Sequence, residues 1–227
     1  MEEKIFEISP NSLNLFLECP ACFWLEKKMG IKRPSPFPYT LNQAIDLLLK
    51  EEFDEYRKKN QLPPILREKK IKAHLFQNQA LLNQWRNPRM GIRYFDEKLN
   101  AIFFGAPDDL LEFNDGTLAP LDYKTTGNEI AKVYDRFQIQ MDFYTFLLEK
   151  NGFKTKRKGY LAFYIVEKNL GFNDRLPFKK ELVEIDTDPS DLPSIFKRAI
   201  LLLKNPICPP HSQDCPFGQW YKKVKEI

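Results

Sequence analysis

No apolar run in this chain is long enough to cross a bilayer. The longest, "LAFYIV" at 161–166 and "AILLL" at 199–203, fall far short of the roughly 20 residues a spanning helix needs. The opening "MEEKIFEISP" lacks the apolar core of a signal peptide, so a cytoplasmic protein with no membrane partner is expected. Glycine is scarce, 9 in 227 residues, while 43% hydrophobic and 29% charged residues are those of a globular chain, which excludes a fibrous repeat and a disordered polymer. An excess of one charge is also missing. With 35 basic and 31 acidic residues the net charge is only +4, too little to mark a nucleic-acid binder by itself. Nor is there a G-x-x-x-x-G-K-S/T phosphate loop, an H-E-x-x-H helix or a glycine-rich dinucleotide fingerprint, which counts against other phosphoryl-transfer enzymes.

What is present is patterned. The basic residues gather at "REKKIK" (67–72), "KTKRK" (154–158) and "KKVK" (222–225); they supply phosphate contacts if the fold brings them together, and are solvated surface otherwise. Ser9 or Asn11 caps a first helix through "NSLNLFLECPACFWLEKKMG", stopped at Gly30. A proline-rich connector, "KRPSPFPYT", leads to a long helix, "TLNQAIDLLLKEEFDEYRKKN", whose stripe of Leu41, Ala44, Ile45 and Leu48, widened by Leu49 and Phe53, predicts burial on most of its girth. A further helix is expected in "KAHLFQNQALLNQW".

From Gly91 the period shortens to that of strands: "GIRYFDE", "NAIFFGAP" and "DDLLEFNDGTLAPLDYKT" predict a meander with Asn114-Asp115-Gly116 as a hairpin turn. A helix over "KVYDRFQIQMDFYTFLLEKNG", the strands "KGYLAFYIV" and "KKELVEIDT", and a helix over "DLPSIFKRAILLLKN" complete the pattern. The order implies an α/β fold, a mixed sheet flanked by helices with N-terminal helical additions. We expect a single domain over 1–227, with a mainly helical part at 1–90, the sheet core at 91–186 and a C-terminal helix and cysteine-containing tail at 187–227.

The hairpin carries the chemistry. A three-residue loop at 114–116 puts Asp108 opposite Asp122, and a two-residue turn puts Asp109 there instead. Either way two carboxylates stand about 5 Å apart at Cβ, an arrangement that repels unless a cation intervenes. Lys124, two residues beyond Asp122, leaves the same face of the strand. Asp108, Asp122 and the Tyr123 carbonyl suit a hard ion such as Mg²⁺ or Mn²⁺, and the ammonium suits a reacting water or the charge developing on a phosphodiester. The bland alternative is an Asp122–Lys124 pair at a sheet edge.

Four cysteines lie near the ends, Cys19 and Cys22 in "CPAC" and Cys208 and Cys215 in "CPPHSQDC". In a reducing compartment this count suits Zn²⁺ or an iron–sulfur cluster rather than disulfides, with His211 as a replacement ligand; without metal the thiols are small buried hydrophobes. His74 falls within a predicted helix as an ordinary residue.

"GAPDDLLE" (Gly105, Asp108), "LDYKT" (Asp122, Lys124) and "QMDFY" (Gln140, Tyr144) resemble, in order and spacing, the G-x-x-D, D-x-K and Q-x-x-x-Y motifs of the PD-(D/E)XK nucleases. The likeness is to the RecB-like branch, which includes CRISPR-associated RecB-like exonucleases and AddB nuclease domains, and "SPNSLNLFLECPACFWLEKKMG" resembles that branch's opening helix. The resemblance implies a restriction-endonuclease-like core and a Mg²⁺- or Mn²⁺-dependent deoxyribonuclease acting on DNA in repair, recombination or CRISPR-type defence, with protein partners there. It implies that Asp108, Asp122 and Lys124 are catalytic, with Gln140 and Tyr144 supporting them.

Where relatives carry a metal-ligating histidine after a glycine, this chain has "NQAID", with Asn42 for the glycine and Asp46 for the histidine. Asp46 is then the further ligand, and Glu51 or Glu52 its substitutes. The branch also ties its termini with a 4Fe–4S iron–sulfur cluster, usually from one N-terminal and three C-terminal cysteines. Here Gly218 stands where a cysteine is expected and Cys22 is additional. A non-catalytic nucleic-acid-binding or scaffold protein of the same fold is the alternative.

Overall fold

The computed structural model describes residues 4–34 and 40–225; the middle of the proline-rich connector, 35–39, lies outside the described residues. The chain begins with strand β1 (Phe6–Ile8), then helices α1 (Pro10–Glu18) and α2 (Pro20–Met29). Ser9 Oγ caps α1 by accepting from Ser12 N at 3.3 Å, and Gly30, at φ 72°, ends α2. The single helix predicted here is two because Pro20 has no N–H to continue the first and drives Cys19 into extended backbone at φ −153°.

There follow α3 (Thr40–Lys58), α4 (Pro64–Glu68), β2 (Ala73–Leu75), α5 (Gln79–Arg86), β3 (Ile92–Asp96), β4 (Ala101–Gly105), β5 (Asp109–Phe113), β6 (Leu118–Thr126), α6 (Asp135–Lys150), β7 (Lys158–Val166), β8 (Phe178–Asp186), α7 (Leu192–Lys204) and α8 (Pro216–Lys225). None of the described helices is long and apolar enough to cross a membrane.

The chain divides into two compact units. One takes in the two ends of the chain and Tyr94–Phe104. Its sheet runs β1-β4-β3, with β1 parallel to β4, and Phe103 stacks on Phe196 of α7 at 3.9 Å between ring centroids. The expected meander is thus split: β3 and β4 pair with β1 from the far N-terminus, a non-local partner that hairpin signals cannot reveal.

The other unit is a three-layer sandwich around the sheet β2-β5-β6-β7-β8. All its neighbours are antiparallel except β6 and β7, and α6 is the crossover that such a parallel pair requires. Side chains alternate between the faces. Leu121, Tyr123, Ala162 and Tyr164 pack with Leu49 and Phe53 of α3 and Leu66 of α4. Leu161, Phe163 and Ile165 pack with Met141 and Tyr144 of α6.

Helix α3 buries only the stripe Leu49, Phe53 and Arg57, while Leu41, Leu47 and Leu48 are exposed, against the expectation of burial around most of the helix. The segment at His74 is strand β2, not helix, because Ala73–Leu75 pair with Leu111–Phe113; only from Asn78, whose Oδ1 caps the helix by accepting from Leu81 N at 3.1 Å, does helical spacing take over.

Candidate active site

The turn after β5 decides which aspartate faces Asp122. Phe113 and Thr117 are bonded across a loop of Asn114, Asp115 and Gly116, and Gly116 takes φ 74°, the left-handed conformation that favours glycine. Asp109 therefore pairs with Leu121 and Leu110 with Pro120, which puts Asp108 at the position opposite Asp122. Asp108 Oδ2 accepts from the Tyr123 N–H at 2.9 Å.

Asp109 points to the other face into a buried polar network. Its carboxylate accepts from Arg57 Nη2 at 2.9 and 2.7 Å, from Arg86 Nη2 at 2.9 Å, from the Tyr123 hydroxyl at 2.8 Å and from Leu110 N at 2.8 Å. Tyr123, expected to contribute its carbonyl, thus also ties the two neighbouring aspartates together through its N–H and its hydroxyl.

On the α6 face, β6 projects Asp122 and Lys124 side by side as an ion pair. Gln140 of α6 links them: its Nε2 donates to Asp122 Oδ1 at 2.9 Å, and its Oε1 accepts from Lys124 Nζ at 3.0 Å. The same amide lies 2.8 Å from Tyr144 Oη, whose hydroxyl donates to Ala106 O at 3.1 Å. Residues 140 and 144 meet because they are one helical turn apart. Gly105 permits this packing: a Cβ there would stand 2.8 Å from Tyr144 Cε1 and 3.1 Å from Leu147 Cδ1.

Asp46 reaches the same site from α3. Lys50 Nζ bridges Asp46 Oδ2 at 2.7 Å and Asp108 Oδ1 at 2.8 Å. Lys50 was not foreseen, and its only sequence signal is the common i,i+4 spacing from Asp46. Glu51 and Glu52, the substitutes considered for Asp46, are exposed.

Burial dominates the electrostatics. It pushes the Asp122 carboxyl up to about 7, opposed by the Lys124 ammonium and reinforced by repulsion from Asp108. Burial, then Asp108, also raises Asp46. Burial would lower Lys50, but the Asp108 and Asp46 carboxylates outweigh it and hold the ammonium charged. Asp122 Oδ2 is buried and, although Lys124 touches it, no described donor makes a hydrogen bond to it. A buried carboxylate whose one oxygen has only the Lys124 ammonium for a partner, beside a second carboxylate, is what a hard divalent cation fits.

Two clefts open at Lys124. One, of about 300 Å³, is lined by Asn42, Gln43, Asp46, Tyr123, Lys124 and Thr125. The other, of about 120 Å³, includes Lys132, Tyr134, Arg136 and Phe137. Lys132 and Arg136 each lie 5.0 Å from the Tyr134 ring centroid. These two cations went unnoticed because they stand singly in "KVYDR" rather than in a cluster. The foreseen cluster at 154–158 is instead paired with acids, Lys156 with Asp115, Arg157 with Glu149 and Lys158 with Glu184 and Asp186.

In the other unit, Cys19, Cys22, His211 and Cys215 offer ligand atoms all within 4.8 Å of one another. Cys208 is corrected out of the expected set: it is exposed, and its thiol donates to Pro209 O at 3.4 Å. It is His211 that completes the group. Burial would raise the Cys19 thiol, but hydrogen bonds from the Cys22 and Ser212 backbone and from His211 and Cys215 bring it down to about 6. Burial pushes Cys22 up to about 12.

The family model described as the PD-(D/E)XK nuclease superfamily matches residues 7–220. The chain belongs to the PD-(D/E)XK nuclease superfamily. This superfamily consists generally of metal-dependent nucleases acting on nucleic acid, and the mixed sheet flanked by helices agrees with its restriction-endonuclease-like fold. Among solved structures, the one described as "Crystal structure of SSO0001" matches at 13% identity over 89% of this chain and 79% of that one, with a TM-score of 0.46. No curated protein matches.

Proposed function

We propose that this PD-(D/E)XK protein is a Mg²⁺- or Mn²⁺-dependent deoxyribonuclease of the RecB-like branch, working from DNA ends in repair, recombination or defence. The observation that carries the reading is the buried Asp122 carboxylate, facing Asp108 and paired with Lys124 through the oxygen that has no other partner among the described residues. Asp108, Asp122 and the Tyr123 carbonyl would hold the cation, with Asp46 as the further ligand. The ion would supply Lewis-acid polarisation of the scissile phosphate and an activated water.

The chain's own residues do the rest. Lys124 Nζ is the group placed to position the attacking water or to neutralise charge on the phosphodiester. Gln140, bonded to both Asp122 and Lys124, fixes the separation of ligand and ammonium, and Tyr144 holds Gln140 in turn. Lys50 neutralises Asp46 and Asp108 while no cation is bound. Lys132, Arg136 and Tyr134, along the adjoining cleft, would hold the strand by its phosphates and a stacked base.

Labelled single- and double-stranded DNA and RNA, linear and circular, test these finer claims. Shortening of linear DNA from its ends, with circles and RNA left intact, is expected. Cleavage of circles or of RNA would replace the end-dependent deoxyribonuclease with another nuclease.

Because burial pushes Asp122 up to about 7, a proton competes with the cation below that value. Calorimetry should find Mn²⁺ affinity flat above about pH 7 and falling, towards tenfold per pH unit, below it. An affinity unchanged down to about pH 5.5 would remove Asp122 from the ligand set. Gly105→Ala forces the Tyr144 ring aside, and is expected to lower cleavage at least about tenfold through Gln140 while Mn²⁺ still binds. Unchanged cleavage in that variant would show that Tyr144 does not position the site.

A further inference from the structure

The cysteine–histidine group lies in the unit that does not contain the nuclease residues, and the chemistry above leaves it unused. We propose that Cys19, Cys22, His211 and Cys215 bind one structural zinc ion, in place of the iron–sulfur cluster that the resemblance implies.

The spacing of the ligand atoms carries the proposal. Around a tetrahedral zinc with Zn–S about 2.3 Å and Zn–N about 2.05 Å, neighbouring sulfurs stand about 3.8 Å apart and sulfur stands about 3.6 Å from nitrogen. Here Cys22 Sγ lies 3.6 Å from Cys215 Sγ, and His211 Nδ1 lies 3.4, 3.5 and 3.7 Å from Cys19, Cys22 and Cys215 Sγ. A cubane cluster puts its own iron–sulfide cage between the ligand atoms and needs them further apart. The remaining two pairs, Cys19 Sγ with Cys22 and Cys215 Sγ, also stay within 4.8 Å, so a single ion has only to draw the group together while a cluster would have to force it apart.

The surroundings agree. Three thiolates and a neutral imidazole leave a Zn²⁺ site with one negative charge. The Arg33 guanidinium, paired through Nη1 with Glu18 at 2.7 Å, turns its other edge to the site, with Nη2 3.7 Å from Cys215 Sγ and a buried Nε that has no hydrogen-bond partner among the described residues. Gly218 N–H donates to Cys215 Sγ at 3.4 Å, a bond that steadies a metal-bound thiolate.

Gly218 also makes room for the histidine. A Cβ there would stand 2.5 Å from His211 Cβ and 2.7 Å from its Cγ, so any side chain at 218 would expel the imidazole. Four protein ligands leave no open position, which makes the site structural. It joins the α1–α2 junction to the segment before α8, two stretches nearly 200 residues apart in sequence, so the ion closes a long loop.

Metal analysis of the full chain, purified without oxygen, tests this independently of nuclease activity. About one zinc per chain is expected in the wild type, in Cys208→Ser and in Asp122→Ala, with none in Cys22→Ser or His211→Ala. Chelation of the wild type should lower the melting temperature by roughly 10 °C, restored by zinc. Where Cys22→Ser does not fold, the wild type and Cys208→Ser decide alone. Iron with sulfide and absorption near ~400 nm, a metal-free wild type, or loss of metal from Cys208→Ser would overturn the proposal.

Discussion

Replacing Lys124 by alanine is expected to lower DNA cleavage by about 10²- to 10³-fold while leaving the protein folded and able to bind Mn²⁺. The ammonium sits against Asp122, is held by Gln140 Oε1 at 3.0 Å, and lies over the Phe137 ring with Nζ 4.5 Å from the centroid. It is therefore placed by three separate contacts, beside the carboxylate that would hold the ion. Its loss leaves a buried Asp122, but that carboxyl is already pushed up to about 7 and takes a proton rather than standing charged in the core. At a Mn²⁺ concentration that outcompetes that proton, the defect should remain, as a loss in kcat. Initial rates on labelled DNA, with calorimetric Mn²⁺ titration of the same variant, separate this loss from a change in metal affinity. A Lys124→Ala protein that cuts at the wild-type rate would reduce the lysine to a charge partner at a strand end.

Asp109→Ala should be the most destabilising single change in the sheet unit, by about 3–5 kcal/mol. Asp109 is fully buried, and Arg57, 3% exposed, directs Nη2 at both of its oxygens. Removing the carboxylate leaves Arg57 and Arg86 in the interior with Asp54 as their remaining anionic partner, at 3.2 and 2.8 Å. A buried cation that loses its main counter-ion cannot be rehydrated without opening the packing between α3, α5 and the sheet. Thermal and urea unfolding should show a melting temperature lower by about 10 °C or more. A shift of only one or two degrees would mean that Asp54 and water satisfy both guanidinium groups. The neighbouring aspartates thus take opposite tasks, Asp108 facing the proposed cation site and Asp109 anchoring the framework that holds Tyr123 and, through its N–H, Asp108.

That division was half legible in the sequence. The two-residue period of a strand put Asp122 and Lys124 on one face, and the Asn114-Asp115-Gly116 turn narrowed the facing carboxylate to Asp108 or Asp109. Which of them faces Asp122 depends on the φ of Gly116, and that belongs to the folded hairpin. That Gln140 and Tyr144 adjoin follows from helical spacing, whereas their place in the site was readable only through the resemblance of "QMDFY" to a nuclease motif.

Other features depend on contacts far apart in the chain. Nothing local says that β4 pairs with β1, that Lys50 crosses from α3 to Asp108, or that Arg57 and Arg86 meet at Asp109. The leucines of α3 misled for the same reason: periodicity reports an apolar stripe, and only packing tells that Leu49 is covered while Leu48 is not. Among the cysteines, composition counted four thiols, whereas the geometry gathers three of them with His211 and leaves Cys208 outside.

The central claim is that Asp108 and Asp122 bind a divalent cation which, together with Lys124, drives phosphodiester hydrolysis. It is tested most directly by incubating the folded wild-type protein with labelled DNA in EDTA and then adding Mn²⁺ or Mg²⁺ in excess. Intact DNA in EDTA and cleavage on adding the metal is the predicted result. A folded protein that leaves single- and double-stranded DNA and RNA whole with either metal, or that cuts equally well in EDTA, would contradict it.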